Sequence, residues 1–312
     1  MISVIILSMN NHYTLEACLK SVLRSPPIDK EVIVVDANSS DDTPEILKKY
    51  SDRIKVIYDD GKGIGLARNL GVENATYDII AFLDSDVICA KDHFTTLLNY
   101  LNSHPEVGAA DIIGSHPQVG TKIQRLESLY RETVEKYFSP QTTLRGWSIS
   151  FRKSVFRDVG GFWQGRSEDT EFSYKLKARG HKTASLKSDS WHIPRPTLRE
   201  ICKEMSSWGK PAAYYHYSAG SDSLVYVDYF QRNRLFKFLH NVKLIVVITY
   251  LLAPLTGIRY LAKTKSSELY CYFLIVHASY LWGYLSGVRG APKYFRKVDE
   301  GTTVEKSKIM LG

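Results

Sequence analysis

Cysteine is scarce in this chain of 312 residues: there are four, at positions 18, 89, 202 and 271, with no CxxC pair and no spacing from which a disulfide framework can be read. Reduced thiols, as in the cytosol, fit that usage better than an oxidising compartment. Ile2-Ser3-Val4-Ile5-Ile6-Leu7 lacks both the basic leader and the small-residue cleavage site of a signal peptide. Repeats at solenoid or propeller periods are missing. With 20 glycines and 11 prolines, collagen-like and low-complexity readings fall away as well. Gly61-Lys62-Gly63-Ile64-Gly65 is not a P-loop, because no GK[ST] follows at the required spacing. Nor does it follow the first strand, where a dinucleotide fingerprint would stand. Most of the chain also lacks excess positive charge. The overall +8 comes from the region after Tyr229-Phe230, where 13 basic and 4 acidic residues give a net of +9, while residues 1–230 carry 28 and 29. A nucleic-acid-binding body would need a basic face of its own, so no nucleic-acid partner is expected.

What is present is an ordinary folding composition, 44% hydrophobic and 24% charged, in a length that suggests two units. Residues 2–7, 32–35, 54–57 and 79–83 are short, apolar and rich in β-branched side chains, and read as buried strands. Helical spacing separates them: Leu15, Cys18, Leu19 and Val22 over residues 13–24, a helix opened by Asp41-Asp42-Thr43-Pro44, and another over 63–74. Strands apolar throughout, alternating with helices, describe an α/β fold with a mostly parallel sheet covered on both faces. The later part is less regular: a helix over 121–138, a strand over Gly146–Phe151, a turn at Gly160-Gly161-Phe162, a helix from Glu168 to Arg179, and a last strand over 182–186.

The tail holds two apolar runs, Leu244–Ile258 and Leu269–Val288, of 15 and 20 residues, with basic residues at every end. A bilayer crossing needs about 20 apolar residues, so the second run is long enough to span. Helices lying in the interface are the other solution, and a pair of buried core helices the bland one. The expected organisation is a catalytic domain over 1–230 and a basic, apolar, helical membrane-associated region over 231–312.

In parallel sheets ligands bind beyond the carboxyl ends of the strands, so the polar residues there are the ones to interrogate. Asp84-Ser85-Asp86 follows the strand over 79–83. Two carboxylates at i and i+2 in a tight turn can converge on one hard cation, Mg²⁺ or Mn²⁺, that anchors a diphosphate; the same residues also make an ordinary turn. Glu168-Asp169 at a helix start can be a general base for an acceptor hydroxyl or merely good partners for the helix dipole. His192, between Trp191 and Ile193, is a core histidine or a third cation ligand. Arg68 can clamp a phosphate or a base edge, or sit on a solvated helix face.

Taken in order, these features resemble family 2 glycosyltransferases of GT-A fold over roughly residues 1–210. The matching segments are Val4–Asn11; Ile33–Thr43, similar to VDxxSxDxT; Gly65-Leu66-Ala67-Arg68-Asn69-Leu70-Gly71, similar to ARNxG; Asp84-Ser85-Asp86; and Gly160-Gly161-Phe162 followed by Glu168-Asp169. Trp208-Gly209-Lys210 resembles weakly the end of a Q/RxxRW segment. The resemblance implies a nucleotide-sugar-binding fold with Ser8, Asp36 and Arg68 at the nucleoside, Asp84 near ribose and diphosphate, Asp86 on a divalent cation, His192 within reach of it, and Asp169 as base beside Glu168. It implies an inverting transfer from a nucleoside-diphosphate sugar. Ala37 and Leu7 depart from the aspartate and proline usual at their positions, and the arginine of the RW segment is missing, so processive synthesis of a long polymer is not expected. The tail suits a lipid-linked or polyprenyl-phosphate acceptor at the cytoplasmic face of the cell membrane. The rival readings are a sugar-nucleotide nucleotidyltransferase, whose Gly-rich, Arg-containing loop is not found at Ser8–His12, and an inactive membrane scaffold, which would be expected to have lost one of the acidic pairs.

Overall fold

The computed structural model describes residues 1–27, 29–61, 63–137, 143–163, 168–219, 247 and 251–301. They divide into two compact units, one of residues 1–120 and 127–194, the other of 121–126 and 195–312.

The first unit is built on one eight-stranded sheet of order β3-β2-β1-β4-β7-β6-β8-β5. Its strands are β1 (Ile2–Ser8), β2 (Glu31–Asp36), β3 (Lys55–Tyr58), β4 (Ile79–Asp84), β5 (Val87–Ile88), β6 (Val107–Ser115), β7 (Ile149–Arg152) and β8 (Lys182–His192). Alternate residues of the central strands enter opposite cores. Ile2, Val4, Ile6, Val32, Val34, Ala81 and Leu83 pack on one face. Ile5, Ile33, Val35, Ile80 and Phe82 pack on the other. A strand buried on both faces leaves no polar alternation, which is why these segments read as unbroken apolar runs.

Helices cover both layers: α1 (His12–Arg24), α2 (Thr43–Lys49), α3 (Ile64–Glu73), α4 (His93–Ser103), α5 (Lys122–Tyr137), α6 (Lys153–Val159) and α7 (Glu168–Ala178). The expected "mostly parallel" sheet is corrected to a mixed one. β1–β2, β1–β4, β2–β3 and β6–β8 are parallel, whereas β4–β7, β6–β7 and β5–β8 are antiparallel. The parallel half is the part with regular helical crossovers. Beyond β4 the chain inserts the short β7 against β4 and β6, and a two-residue β5 against the end of β8.

The second unit contains α8 (Leu198–Ala219), α9 (Ala253–Thr264) and α10 (Ser267–Gly301). α8 and α10 cross so closely that a Cβ on Gly283 would overlap the Ser206 carbonyl. The run over 269–288, expected as a possible span, lies in α10. Among the described residues no helix is long and apolar enough to cross a membrane. Tyrosines, His277 and Ser279 dilute the run, and Leu269, Tyr272, Phe273, Val276 and Tyr284 are buried within the unit. Residues 244–246 and 248–250 of the earlier run, and Arg232, Arg234, Lys237 and Lys243 before it, lie outside the described residues.

Candidate active site

Strand register brings the first site residues side by side. Ser8 pairs with Asp36 on one flank of β1, and Leu7 with Asp84 on the other. All three polar residues therefore emerge at the carboxyl ends of adjacent parallel strands, where α/β sheets bind ligands. The loops beyond are latched together. Asp36 accepts from Ser39 N at 2.8 Å and from Ser39 Oγ at 2.6 Å. Ser39 Oγ in turn accepts from Asn10 N, and Asn10 Oδ1 accepts from Ser40 N, both at 2.8 Å. Asn10 and Asn38 both hold positive φ, near 51° and 52°, a region that asparagine tolerates better than most residues. Asn11 Nδ2 donates to Ser85 Oγ at 2.6 Å, tying the first turn to the acidic one. Ser8 Oγ is buried with no partner among the described residues.

Asp84, Asp86 and His192 form the next cluster. Each offers one ligand atom, and the three lie within 4.8 Å of one another. β5 makes this possible: Val87 pairs with His192 across the antiparallel β5–β8 ladder, and Ile193 N donates to Asp86 O at 2.7 Å. His192 Nε2 stands 3.0 Å from Asp86 Oδ1. Burial alone would lower the His192 pKa, but the carboxylates of Asp86 and Asp84 outweigh it and raise it. Asp84 is raised by burial first and by Asp86 and Asp169, with Arg68 and His192 opposing.

Arg68 joins this cluster to the second acidic pair. It is 2% exposed, not on a solvated helix face. Its Nε donates to Glu168 Oε1 at 3.0 Å and its Nη2 to Gly146 O at 2.9 Å, with Nη2 also 3.9 Å from Asp84 Oδ1. The guanidinium lies over the rings of Phe82 and Phe162, at 4.7 and 5.5 Å from their centroids. The next residue, Asn69, exchanges two hydrogen bonds of 2.9 Å with the Phe162 backbone. The middle of α3 thus holds both Phe162, in the turn after α6, and Glu168, the first residue of α7. Glu168 is pushed up to about 7 by its burial, with Asp169 adding and Arg68 opposing.

Asp169 is placed by a residue that sequence reasoning gave no role. Gly146 opens a 3₁₀ turn, Gly146–Ser148, and a Cβ built there would stand 2.5 Å from Asp169 Oδ2. The same glycine's carbonyl takes Arg68. No spacing in the sequence points to it, since 23 positions separate it from Asp169. Asp169 Oδ1 accepts from Thr170 N at 2.7 Å, and Oδ2 turns toward Gly146.

The donor set fits a divalent cation. Of the four carboxylates Asp84, Asp86, Glu168 and Asp169, two approach Arg68, Glu168 at 3.0 Å and Asp84 at 3.9 Å. The upward pKa shifts of Asp84 and Glu168 come first from burial, with a neighbouring carboxylate adding in each case. Two carboxylates and an imidazole suit Mn²⁺ or Mg²⁺, and His192 Nδ1 is buried without a partner among the described residues.

Comparisons with known proteins bear on the family and the fold. The sequence profile described as Glycosyl transferase family 2 matches residues 3–160. Poly-beta-1,6-N-acetyl-D-glucosamine synthase of Staphylococcus aureus is 28% identical over 219 residues, which cover 64% of this chain and 52% of that protein. Glycosyltransferase AglE of Haloferax volcanii is 29% identical over 194 residues, 55% of this chain and 62% of the relative. The chain spans about half the length of the synthases it matches. Among solved structures, mannosyltransferase PcManGT from Pyrobaculum calidifontis, in complex with GDP-Man and Mn²⁺, superposes with a TM-score of 0.61 at 15% identity, covering 92% of this chain and 86% of that one. At that identity the likeness is one of fold.

Proposed function

Because the chain belongs to Glycosyl transferase family 2, we propose that it is an inverting glycosyltransferase that moves a sugar from a nucleoside-diphosphate donor to a hydroxyl or phosphate acceptor. The observation that carries this reading is the position of Arg68, 3.0 Å from Glu168 and 3.9 Å from Asp84. It draws the donor-side and base-side acids to one rim of the sheet.

In this reading Ser8 and Asp36 line the nucleoside end, Ser8 through its unpartnered hydroxyl and Asp36 through the loop that it braces. Asp84 stands at the ribose and diphosphate. Asp84, Asp86 and His192 would hold the cation. When bound, Mn²⁺ or Mg²⁺ neutralises charge on the departing diphosphate, a contribution that can reach several kcal/mol. Asp169 takes the proton from the acceptor oxygen, which attacks the anomeric carbon from the face opposite the leaving group. Glu168, held by Arg68, fixes the first residue of α7, next to Asp169. Gly146 leaves room for it.

We assign catalysis to residues 1–230 and place the protein at the cytoplasmic face of the cell membrane, acting on a lipid-linked or polyprenyl-phosphate acceptor. Support comes from α9. Leu255, Ile258 and Leu261, at 63, 52 and 36% exposure, recur every three residues. Arg259 and Lys263 flank them, and Gly257 packs inward against Tyr270 and Phe273. An apolar stripe edged by cations is how a helix lies in an anionic interface.

The test is release of nucleotide from a panel of labelled nucleotide sugars by the full chain with membranes, with Mn²⁺, Mg²⁺ or chelator. One donor turned over only with cation, and label entering organic solvent, is the expected result. Label confined to water-soluble product rejects the lipid acceptor. No turnover of any donor rejects the transferase.

A further inference from the structure

The first unit carries a concavity that no role has yet used, a cleft of about 620 Å³. Its floor is one face of the β6–β8 ladder. Thr183, Ser185 and Lys187 are alternate residues of β8 and so point the same way, with Ile113 of β6 opposite Lys187. One wall is a face of α5, where Glu132, Glu135 and Lys136 stand at i, i+3 and i+4. The other is the segment Thr143–Arg145.

The cleft is firmly built. Asp111, wholly buried under it, accepts from Arg145 N at 2.8 Å and from Arg145 Nη1 at 3.1 Å, and from the Ser185 hydroxyl. Arg145 Nε lies 3.5 Å from Glu135 Oε1, and His116 Nε2 lies 3.2 Å from Glu135 Oε2. Floor and both walls are thus cross-braced by a buried polar network, the kind of support that holds a binding surface in one shape. The cleft also adjoins the reaction. Arg145 precedes Gly146, whose Cα abuts Asp169, and consecutive Cα atoms are about 3.8 Å apart. The wall is therefore one residue along the chain from the glycine that stands against the proposed base.

From this we infer that the cleft is the acceptor subsite and that it seats the sugar ring of a neutral saccharide, with one hydroxyl delivered to Asp169. The inference rests on the transferase reading and narrows its acceptor to a saccharide hydroxyl, which favours a lipid-linked saccharide over a polyprenyl phosphate. The chemistry of the lining decides the class. Sugar hydroxyls each donate and accept, and the cleft offers hydroxyls, carboxylates and ammonium groups together. Arg145 is already neutralised by Asp111 and Glu135, so the cleft presents Lys136 and Lys187 against Glu132, too little positive charge to select a phosphate. Eight of its ten lining residues are polar or charged, which suits the hydroxyls of a sugar better than a lipid chain. At about 300–1,000 Å³ for ligand sites generally, its volume admits one or two sugar rings.

The experiment measures binding, not turnover. The full chain is titrated with methyl glycosides, neutral disaccharides and their phosphorylated counterparts, followed by ligand-observed NMR, and separately with UDP and GDP in Mn²⁺. At least one neutral saccharide is expected to bind. Thr183→Trp, which fills the floor, should weaken it by about tenfold or more, as loss of a central contact does. Lys187→Ala, a milder change, should weaken it in the same direction. Nucleotide affinity should stay within about twofold in both variants, which also reports that they are folded. Binding of phosphorylated sugars alone, of no sugar, or of neutral sugars with affinity unmoved by either variant would overturn the assignment. Failure of the transferase reading shows separately, as absence of nucleotide binding while saccharide still binds.

Discussion

Arg68 and Glu168, 100 positions apart in sequence, meet in a buried ion pair with Nε 3.0 Å from Oε1. The pair joins α3 to the start of α7, and its geometry makes two otherwise separate acidic turns into one site. Removing one partner of a buried pair leaves an uncompensated charge, typically at a cost of about 3–5 kcal/mol. Arg68→Met should therefore lower unfolding free energy by about that amount at pH 8, measured by denaturant titration. The loss should shrink in acid, because Glu168 can then take up a proton and become neutral. An equal loss at pH 5 and pH 8 would show that the charge is not what the pair stabilises.

Glu168 also gives a signed pH dependence. Its folded pKa is raised from 4.5 to about 7, chiefly by burial. Between those values the folded state holds a proton that the unfolded state has released. Stability from this group is therefore fully present below pH 4.5 and falls as pH rises through about 7. Glu168→Gln should remove that component. The difference between wild type and variant in unfolding free energy, followed from pH 4 to 8, isolates it from carboxylates of opposite sign such as Asp41, whose pKa is lowered. A difference that is flat across the range would contradict the raised pKa.

Gly146 separates position from stability. A Cβ there would stand 2.5 Å from Asp169 Oδ2 and 3.1 Å from Cγ. The obstacle is the end of a side chain that can rotate, so Gly146→Ala should change the melting temperature little. Asp169 would nevertheless be displaced, and a misplacement of about 1 Å can cost about 100-fold in rate. Turnover is expected to fall on that scale, with nucleotide affinity kept. Asp169→Asn should do the same without moving the carboxamide far. If Gly146→Ala is fully active, Asp169 is not the base.

Much of this site could be read from the sequence, and the part that could not has a physical cause. Strands β1, β2 and β4 are apolar on both faces, so each stood out as a continuous run, and the polar residues after them fell at the ligand edge. β6 was not read: Gly108, Ala109, Ala110 and Asp111 have weak strand propensity, and their strand is held by neighbours on both sides. α4 was missed although Phe94, Leu97 and Leu101 are spaced for one buried face. The pairing of His192 with Asp86 depends on β5, two residues long, below the length at which alternation is visible. Gly146 and the Arg68–Glu168 pair are tertiary facts between distant segments, and a local pattern does not carry them.

The cation cluster gives a test that needs no acceptor. Asp86 approaches His192 at 3.0 Å, so removing its carboxylate takes away a proposed ligand and the group that most raises the histidine. Asp86→Ala should abolish the part of nucleotide affinity that depends on Mn²⁺ or Mg²⁺, measured by calorimetry with UDP and GDP, and leave the chelator-treated affinity where it was. His192→Ala should weaken the cation-dependent part less, since both carboxylates remain. Affinity that is identical with chelator in the wild type would sink the cation role altogether.

The exposed stripe of α9 predicts how the protein meets a bilayer. Vesicles of phosphatidylcholine with added phosphatidylglycerol should bind the full chain more tightly than phosphatidylcholine alone, because Arg259 and Lys263 would sit among anionic headgroups at about 1 kcal/mol each. Added salt should weaken that increment through screening. Leu255→Asp combined with Ile258→Asp places charge on the apolar stripe, where both side chains are more than half exposed, so the fold should tolerate the change. Loss of sedimentation with vesicles, at unchanged thermal stability, is the expected outcome. A double variant that still sediments fully would move the membrane contact to another part of the chain.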